Sequence, residues 1–266
     1  ARIHILPPLG KQPVADVQYE DVERLHAKIT QAGTPYRANR ALALLSKMFS
    51  LSIKWRWRDT NPCFGVERNA EEKRKRYLAG EEIARLSAAL AQLDDQQGAN
   101  IIRLLMLTGA RKGEVFAMRW DGIDFERRTW TKPAATTKQK ADHHVPLSAP
   151  AMQLLDDLRR EAEPGAEYVF PGRSGGHRQE IKRTWHEACL IAGLTVQAKQ
   201  TGRKGMVLKP SARIHDLRHT YASVLAGAGL SLPMIGALLG HTQPQTTARY
   251  AHLADDPQRQ AAERAA

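Results

Sequence analysis

The amino-terminal part of the chain places hydrophobic residues at helical spacing. Val22, Leu25 and Ile29 lie on one side of residues 19–33, and this pattern predicts a helix that ends at a glycine. A second helix is expected to begin at Thr34, because threonine is a good N-cap and the proline that follows it fits the first turn.

The second helix is expected to have one buried stripe and one basic outer surface. The residues predicted to form the buried stripe are Leu42, Leu45, Met48, Phe49 and Ile53. The side chains predicted to lie on the outer surface, where a polyanion can reach them, are Arg37, Asn39, Arg40 and Lys47.

A basic run then interrupts the hydrophobic pattern. Residues 73–78 contain Lys73, Arg74, Lys75 and Arg76 and have few apolar neighbours, which is typical of a solvated linker between two bodies.

Beyond the linker the pattern alternates between helical and strand periods. Helices are predicted over residues 81–93, 99–107, 149–161, 179–192, 215–227, 232–239 and 245–254. Three short β-branched or aromatic segments, at residues 122–126, 128–133 and 143–147, predict a small antiparallel sheet. Residues 198–212 are basic and contain glycine, and they are interpreted as a loop.

These elements predict a mainly α fold with a small antiparallel β-sheet (α+β), divided into two domains. A helical domain is expected over residues 1–72, a linker over 73–78 and a larger domain over 79–266. The chain has no run of eighteen apolar residues, and its two cysteines, Cys63 and Cys189, cannot form a disulfide framework or a CxxC metal pair. We therefore expect no membrane span, no secretory signal and a reducing, cytoplasmic setting.

The charge balance narrows the class of partner. The chain carries a net charge of +12, and the residues before Tyr77 include fifteen Lys and Arg against eight Asp and Glu. Excess cation of this kind is typical of proteins that bind nucleic acid or an acidic membrane surface. The sequence has no polybasic amphipathic helix, which makes nucleic acid the stronger candidate.

The stretch "IHDLRHTYAS" concentrates candidate chemistry within a few residues. His215 and His219 have the spacing of a zinc pair, but Arg218 on the same helix face would repel a dication, and no third ligand is evident. A phosphate suits the cluster better, because the Arg218 guanidinium matches two phosphate oxygens and His215 can donate or shuttle a proton.

A candidate nucleophile follows in "LGHTQPQTTARYAHL". His241 comes directly after a glycine that ends a predicted helix, and Tyr250 lies nine positions later. A phenol has a pKa of about 10, so it attacks phosphorus only where nearby cations stabilise the phenolate. Arg218, His215 and His241 are the groups that would supply this field.

The segments "HDLRHTYAS" and "LLGHTQPQTTARYAHL" resemble the carboxyl-terminal signature of the tyrosine recombinases, the phage integrase family. In "LTGARKGEV", which resembles the family's first arginine box, the matching residues are Arg111 and Glu114. In "TTKQKADHHVPL" the matching lysine is Lys138, while Lys132 and Lys140 are less well placed. The segments "TWHEACLIAGL" and "TPYRANRALALLSKMFSLSIKWRWRDTNP" also resemble the family, so the resemblance covers nearly the whole chain.

The resemblance implies a DNA breaking-and-rejoining catalytic domain preceded by a helical core-binding domain. It implies that Arg111 and Arg218 clamp the scissile phosphate and that Tyr250 forms a 3′-phosphotyrosine without any metal or other cofactor. Lys138 would protonate the departing 5′-oxygen. His215 would assist proton transfer, His241 would hydrogen-bond a phosphate oxygen, and Glu114 would orient its basic neighbours. His219 and His252 are interpreted as structural, and Asp216 as helix-supporting.

The same resemblance implies the partners and the setting. The partner would be double-stranded DNA at attachment or core sites, gripped by the basic residues of the second helix and of the linker. We expect a monomer in solution, a homotetramer on DNA, DNA-bending accessory proteins, no membrane contact, and a bacterial or phage-encoded protein at the nucleoid. We expect no counterpart of the family's arm-binding domain in this sequence, and we expect the first core-binding helix to be missing.

Three other functions stay open at this level. A type IB topoisomerase-like enzyme would share the phosphotyrosine chemistry, and a catalytically silent DNA-binding protein would share the scaffold. A metal-dependent nuclease would use His215 and His219.

Overall fold

The computed structural model describes residues 1–72, 76–133, 142–199 and 205–253. The chain divides into two compact units, Ala1–Arg74 and Lys75–Ala266, and the division falls inside the segment interpreted as a linker. Among the described residues, no helix is both long enough and apolar enough to span a bilayer.

The first unit is built on two long helices. It contains α1 (Leu6–Leu9), α2 (Tyr19–Gln31) and α3 (Pro35–Lys54). The helices α2 and α3 begin at the predicted positions, where Asp21 caps the start of α2 and Pro35 occupies the first turn of α3. The side chains that form its core are mainly Val22, Leu25, Ile29, Leu42, Leu45 and Phe49.

The second unit combines helices with two small antiparallel sheets. Its helices are α4 (Gly80–Leu90), α5 (Gln96–Thr108), α6 (Lys112–Phe116), α7 (Ala149–Glu161), α8 (Lys182–Ile191), α9 (Ile214–Gly227), α10 (Leu232–Leu239) and α11 (Pro244–Ala248), with 3₁₀ turns at Trp120–Gly122 and Ala251–Leu253. Strands β1 (Ile123–Asp124), β2 (Thr129–Lys132) and β3 (His143–Pro146) form one sheet in that order, and β4 (Thr195–Lys199) pairs with β5 (Met206–Pro210). The mainly α fold with small antiparallel sheets is therefore confirmed.

Helix α5 is the central element of the second unit. Its side chains Ile101, Ile102, Leu104 and Leu105 are almost completely inaccessible to solvent, because α4, α7, α8 and α9 all pack around it. The carboxylate of Asp95 caps its first turn by accepting from the Gly98 backbone N–H at 3.0 Å. A helix packed against four others gives the loop at its carboxyl end a rigid base.

The sheet β1–β2–β3 covers this core on one edge. Trp130 of β2 pairs with Ile123 of β1 and Val145 of β3, and all three side chains face the core. The alternation along β2 also turns the side chain of Lys132 inward, where only 3% of the residue is exposed. Lys132 is therefore a buried lysine at the end of β2.

Two sequence-based predictions about individual residues of α3 are wrong. The pattern predicts Met48 in the core, but it is exposed. The pattern predicts Asn39 on the outer, DNA-facing surface, but it is buried and hydrogen-bonded. Its Nδ2 donates to the Asn69 carbonyl at 2.8 Å and to Glu71 at 2.9 Å, and its Oδ1 accepts from the Asn69 backbone N–H at 3.0 Å. The side chain turns inward because these partners, thirty or more residues away, satisfy all of its polar atoms.

The loop prediction for residues 198–212 is wrong for most of the described part, while residues 200–204 lie outside the described residues. Residues 198–199 and 206–210 belong to the β4–β5 hairpin, in which Ala198 pairs with Val207 and Lys199 with Met206. Charge and glycine suggested a loop, but the apolar run Met206, Val207, Leu208 is sufficient for a strand once β4 provides a partner.

We predict that Asn39→Ala destabilises the protein by about 1–3 kcal/mol, because the buried His26 and the part-buried hydrogen bonds to Asn69 and Glu71 would lose their partner. Thermal unfolding followed by circular dichroism measures the change. Arg37→Ala, an exposed change on the same helix, is the matched control and is expected to stay within about 0.5 kcal/mol. If Asn39→Ala is as stable as the parent but binds DNA more weakly, Asn39 belongs to the DNA-facing surface, as the sequence pattern predicts.

Candidate active site

Arg218 is a buried cation that joins three helices of the second unit. It lies in α9, where the Asp216 carboxylate caps the helix by accepting from the Arg213 backbone N–H at 2.8 Å. Only 3% of Arg218 is exposed. Its Nη1 donates to the Gly109 carbonyl at 2.9 Å, and its Nη2 donates to the Leu239 carbonyl at 2.7 Å. One guanidinium therefore fixes the carboxyl ends of α5 and α10.

Gly109 is required at the end of α5 by both conformation and space. It adopts the left-handed conformation with φ of 61°, and a Cβ atom there would lie 2.4 Å from the ring of Tyr221 on α9. The close approach lets the carbonyl of Gly109 meet Arg218 and sends the chain toward Arg111 two residues later.

Arg111 is the N-cap residue of α6 and is held by Glu114. Its backbone N–H donates to Glu114 Oε2 at 2.9 Å, and its Nη1 donates to Oε1 at 2.8 Å. The Nζ of Lys132 donates to the same carboxylate at 2.7 Å. Burial opposes the ionised carboxylate, but Lys132 and Arg111 outweigh it and lower the pKa of Glu114 to about 2. Glu114 is thus ionised throughout the working range of pH.

His241 follows the left-handed Gly240 that ends α10, as the sequence predicted. Its Nδ1 lies 2.8 Å from the hydroxyl of Thr247 on α11, and its backbone N–H donates to Gly236. Burial, followed by the charge of Arg218, lowers the pKa of His241 to about 4. The ring is therefore neutral at neutral pH, with a fixed orientation.

Tyr250 lies between α11 and the last 3₁₀ turn, and its ring is buried with 1% of the residue exposed. Its hydroxyl lies 2.6 Å from Nδ1 of His219, the residue interpreted from sequence as structural. Burial, followed by the neighbouring His215, lowers the pKa of His219 to about 4. A neutral His219 can accept the phenol proton in this hydrogen bond.

His215 is exposed at the start of α9 and does not contact Tyr250 through any hydrogen bond in the described structure. Its ring meets the ring of His219 edge to face at a centroid distance of 4.9 Å. Desolvation and the nearby Arg218 lower its pKa. His215 is therefore next to the hydroxyl's partner rather than next to the hydroxyl itself.

The pKa shifts of Arg218 and His241 have causes in several segments of the second unit. Burial and, after it, Arg111 lower the pKa of Arg218 to about 10, while Glu114 and Tyr250 act in the opposite direction. Arg111 also acts on His241. The hydrogen bonds of Arg218 to Gly109 and Leu239, two residues before Arg111 and His241, and that of His219 to Tyr250 agree with this short-range influence.

Lys138, the predicted leaving-group lysine, lies outside the described residues, as does its rival Lys140. The structure instead places Lys132 beside the arginines, and it brings His219 to the tyrosine hydroxyl. Sequence reasoning missed both positions. The strand alternation of β2 was the available signal for Lys132, whereas nothing local distinguishes His219 from a packing histidine.

The residues predicted to bind DNA fall into separate groups. Arg37, Arg40 and Lys47 are exposed on α3, and Arg40 pairs with Glu71 at 3.2 Å. Arg76 makes a two-pronged contact with Glu82, which occupies its guanidinium. Lys73, Arg74 and Lys75 lie outside the described residues, and Asn39 is withdrawn from the group because it is buried.

The metal alternative lacks ligands where the structure is described. Among those residues, no three His, Cys, Asp or Glu side chains lie close enough together to hold an ion. His215 and His219 would need a third protein ligand, and their neighbour Arg218 is a cation.

We predict that Tyr250 titrates above the ordinary phenol pKa of about 10, because burial penalises the phenolate more than Arg249 and Arg218 favour it. Because the fold favours the neutral phenol, its contribution to stability is lost as the pH rises above about 10. The ultraviolet phenolate absorbance of the protein minus that of Tyr250→Phe measures this group. A difference step below 10, while circular dichroism still shows the folded state, would contradict the buried position.

Comparisons with known proteins identify the family of the chain. The phage integrase family model matches residues 76–256. Prophage integrase IntZ of Escherichia coli K12 is 31% identical over 172 residues, which is 64% of this chain and 42% of the relative. The integrase of Escherichia phage P2 is 30% identical over 85% of this chain and 58% of its own length. The chain spans about half the length of the curated relatives it matches first.

Several solved structures with the same fold are complexes with DNA. A Tn1549 transposon integrase in complex with a circular intermediate DNA has a TM-score of 0.72, with 18% identity over 95% of this chain and 87% of that chain. A lambda integrase dimer bound to a COC′ core site has a TM-score of 0.71, with 19% identity over 94% and 84% of the two chains. A lambda integrase tetramer bound to a Holliday junction has a TM-score of 0.65, with 18% identity over 86% and 65%. The family model covers well over half of the sequence, and the protein therefore belongs to the phage integrase family.

Proposed function

We propose that the protein is a site-specific DNA recombinase that cuts and rejoins duplex DNA through a 3′-phosphotyrosine at Tyr250. The observation that carries this proposal is the bonding of Arg218, which brings the Arg111 loop and the His241 turn together, while His219 on the same helix holds the Tyr250 hydroxyl. Arg218 would join these helix ends in a DNA-binding protein too, but a protein without chemistry has no use for a histidine that holds a tyrosine hydroxyl at this place.

The two arginines suit the charge of the reaction. In-line attack on a phosphodiester adds negative charge to the phosphorus oxygens, and fixed cations stabilise it without reorganisation. The bonds to Gly109 and Leu239 use two of the five N–H donors of Arg218, and in the described structure no further acceptor receives the others. Arg218 stays protonated at neutral pH, since its pKa falls only to about 10. Arg111 is half-exposed and completes the clamp.

The other side chains of the proposed site transfer protons or form hydrogen bonds. The Tyr250 hydroxyl gives its proton to His219, its partner at 2.6 Å, as its oxygen forms the new bond to phosphorus. The bond to the 5′-oxygen breaks in the same step, and Lys138 supplies the proton that the 5′-oxygen needs. His241 donates to a phosphate oxygen, His215 assists proton transfer, and Glu114 orients Arg111. None of these roles needs a metal ion or another cofactor.

The nucleophile is sheltered until DNA is present. Tyr250 is 1% exposed, so its hydroxyl must become accessible before a phosphate can reach it. DNA binding would favour the conformation in which the phenol is accessible, because only that conformation gains contacts with the phosphate.

The partner in this proposal is duplex DNA carrying the cognate core site. The net charge of +12 and the exposed Arg37, Arg40 and Lys47 support it, as does the DNA bound in the similar structures. We extend the proposal to a protein that is monomeric in solution and tetrameric on two synapsed sites, acting with DNA-bending accessory proteins in a bacterial or phage setting.

We predict that incubation with a cognate site yields a protein–DNA adduct that survives denaturing electrophoresis, and that Tyr250→Phe binds the site but yields none. Removing the phenol oxygen removes the atom that would form the ester. EDTA should leave the parent's yield unchanged. An adduct formed by Tyr250→Phe would show that another residue is the nucleophile, and relaxation of any plasmid without sequence preference would favour a topoisomerase.

We also predict that DNA affinity falls steeply and log-linearly with salt, because each neutralised phosphate releases counterions. Arg37→Gln, Arg40→Gln and Lys47→Gln together should flatten the slope by about 1 for each phosphate that the variant no longer neutralises. Fluorescence anisotropy over a salt series measures the slope. Arg24→Gln, an exposed arginine of α2 that pairs with Asp21, is the matched control. An equal slope in the triple variant would remove α3 from the DNA interface.

A further inference from the structure

Lys132 is a buried lysine beside the two arginines of the site. It is the last residue of β2, and its side chain is 4% exposed. The ammonium lies 4.6 Å from the centroid of the Trp130 ring and 2.7 Å from Glu114 Oε2. Burying an ammonium is costly unless a carboxylate compensates it. Glu114 is therefore what allows Lys132 to be buried here.

The Glu114 carboxylate also carries Arg111. Its Oε1 accepts from Arg111 Nη1, and its Oε2 accepts from both the Arg111 backbone N–H and Lys132 Nζ. With both oxygens occupied, the carboxylate has one orientation. Without Lys132, Oε2 would lose its stronger partner, and the carboxylate and the half-exposed guanidinium bound to it would be free to rotate together.

Lys132 also belongs to the electrostatic field of the site. Burial lowers its pKa, Glu114 opposes this, and Arg218 and Arg111 lower it further. Among the described residues that act on Lys132, these two arginines outnumber the one carboxylate, which leaves an excess of positive charge where a phosphate would gain negative charge.

We propose that Lys132 is a positioning residue for DNA cleavage, which locks Glu114 so that Arg111 is aimed at the scissile phosphate. This inference rests on the proposed function. It assigns no proton transfer to Lys132, because its ammonium is buried and committed to Glu114, and the 5′-oxygen still takes its proton from Lys138.

The first test compares single-turnover adduct formation by the parent, Lys132→Met and Lys132→Arg on the cognate site. Lys132→Met is expected to lower the rate by about 10²-fold, the effect of misplacing a catalytic group by about 1 Å, with unchanged DNA affinity. Lys132→Arg keeps the charge and should recover part of the loss. Lys112→Met is the matched control, because Lys112 pairs with Glu180 at 3.6 Å rather than with Glu114. A parental rate in Lys132→Met would overturn the proposal.

A DNA site with a 5′-bridging phosphorothiolate separates positioning from acid catalysis, because a thiolate leaves without being protonated. This substrate should restore cleavage by Lys138→Met and leave Lys132→Met slow. Restored cleavage in Lys132→Met would make Lys132 the leaving-group acid and overturn the proposal. If the parent forms no adduct with either substrate, the proposed function itself fails, and the two failures are thereby distinguished.

The pH dependence gives a readout that a merely structural lysine would not move. The charged and titratable groups that act with Glu114 are Arg111 at the start of α6, Lys132 on β2, Arg218 on α9 and His143 on β3. Loss of Lys132 raises the pKa of Glu114 from about 2, so the acid limb of the cleavage profile should move to higher pH in Lys132→Met and stay in place in Lys132→Arg. Superimposable acid limbs would contradict the proposal.

A double-mutant cycle distinguishes a loss of cleavage that acts through Glu114 from a loss caused by misfolding. Lys132→Met leaves a buried carboxylate with one fewer partner, whereas Lys132→Met combined with Glu114→Gln leaves no unpaired charge between the two positions. If Lys132 acts through Glu114, the double variant should cleave no more slowly than Glu114→Gln alone. Losses that multiply would show that Lys132 acts independently of Glu114, which would overturn the proposal.

Discussion

The guanidinium of Arg218 is the constraint on which the site depends. A buried arginine cannot lose its proton at working pH, so its donors must be met by acceptors. Two backbone carbonyls, from Gly109 and Leu239, meet it from the ends of two different helices. Each of those helix ends is followed two positions later by a further residue of the site, Arg111 in one case and His241 in the other. The same bonds that make the burial tolerable therefore assemble the site.

The site concentrates like charges, and this has a cost before any substrate is present. Arg111, Arg218 and Lys132 each lie in the field of the others, with Glu114 as the carboxylate among them. Burial strengthens both the repulsion and the attraction, because the dielectric screening of water is reduced. A phosphate that enters this region relieves the repulsion, and it does so most when its own negative charge is largest. Fixed cations of this kind favour the transition state over the ground state.

Tyr250, the proposed nucleophile, is held by different contacts from Arg111 and Arg218, which are proposed to clamp the phosphate. Tyr250 is sealed in a small apolar cluster with Tyr221 and Tyr77, and its hydroxyl is occupied by His219. The arginines are held by bonds to backbone and carboxylate, whereas the tyrosine lies between a five-residue helix and a 3₁₀ turn. Short elements of this kind open at lower free energy than a buried helix such as α5. In the proposed reaction, rigid arginines and a locally releasable Tyr250 would limit cleavage to the moments when DNA is bound.

The sequence by itself determined the structural features that depend on residues close together along the chain. The bounds of α7 and α10, the glycine before His241 and the mainly helical fold all follow from periodicity, caps and turn residues. The spacing of the motifs also indicated which residues to consider, although their catalytic roles stay predictions. The tertiary structure decided what depends on distant partners. Asn39 turns inward because Asn69 and Glu71 receive it, Met206–Pro210 form a strand because β4 is present, and His219 meets the phenol of a residue thirty-one positions away. A side chain's local pattern gives its propensity, but its hydrogen-bond partner is fixed only when the chain has folded.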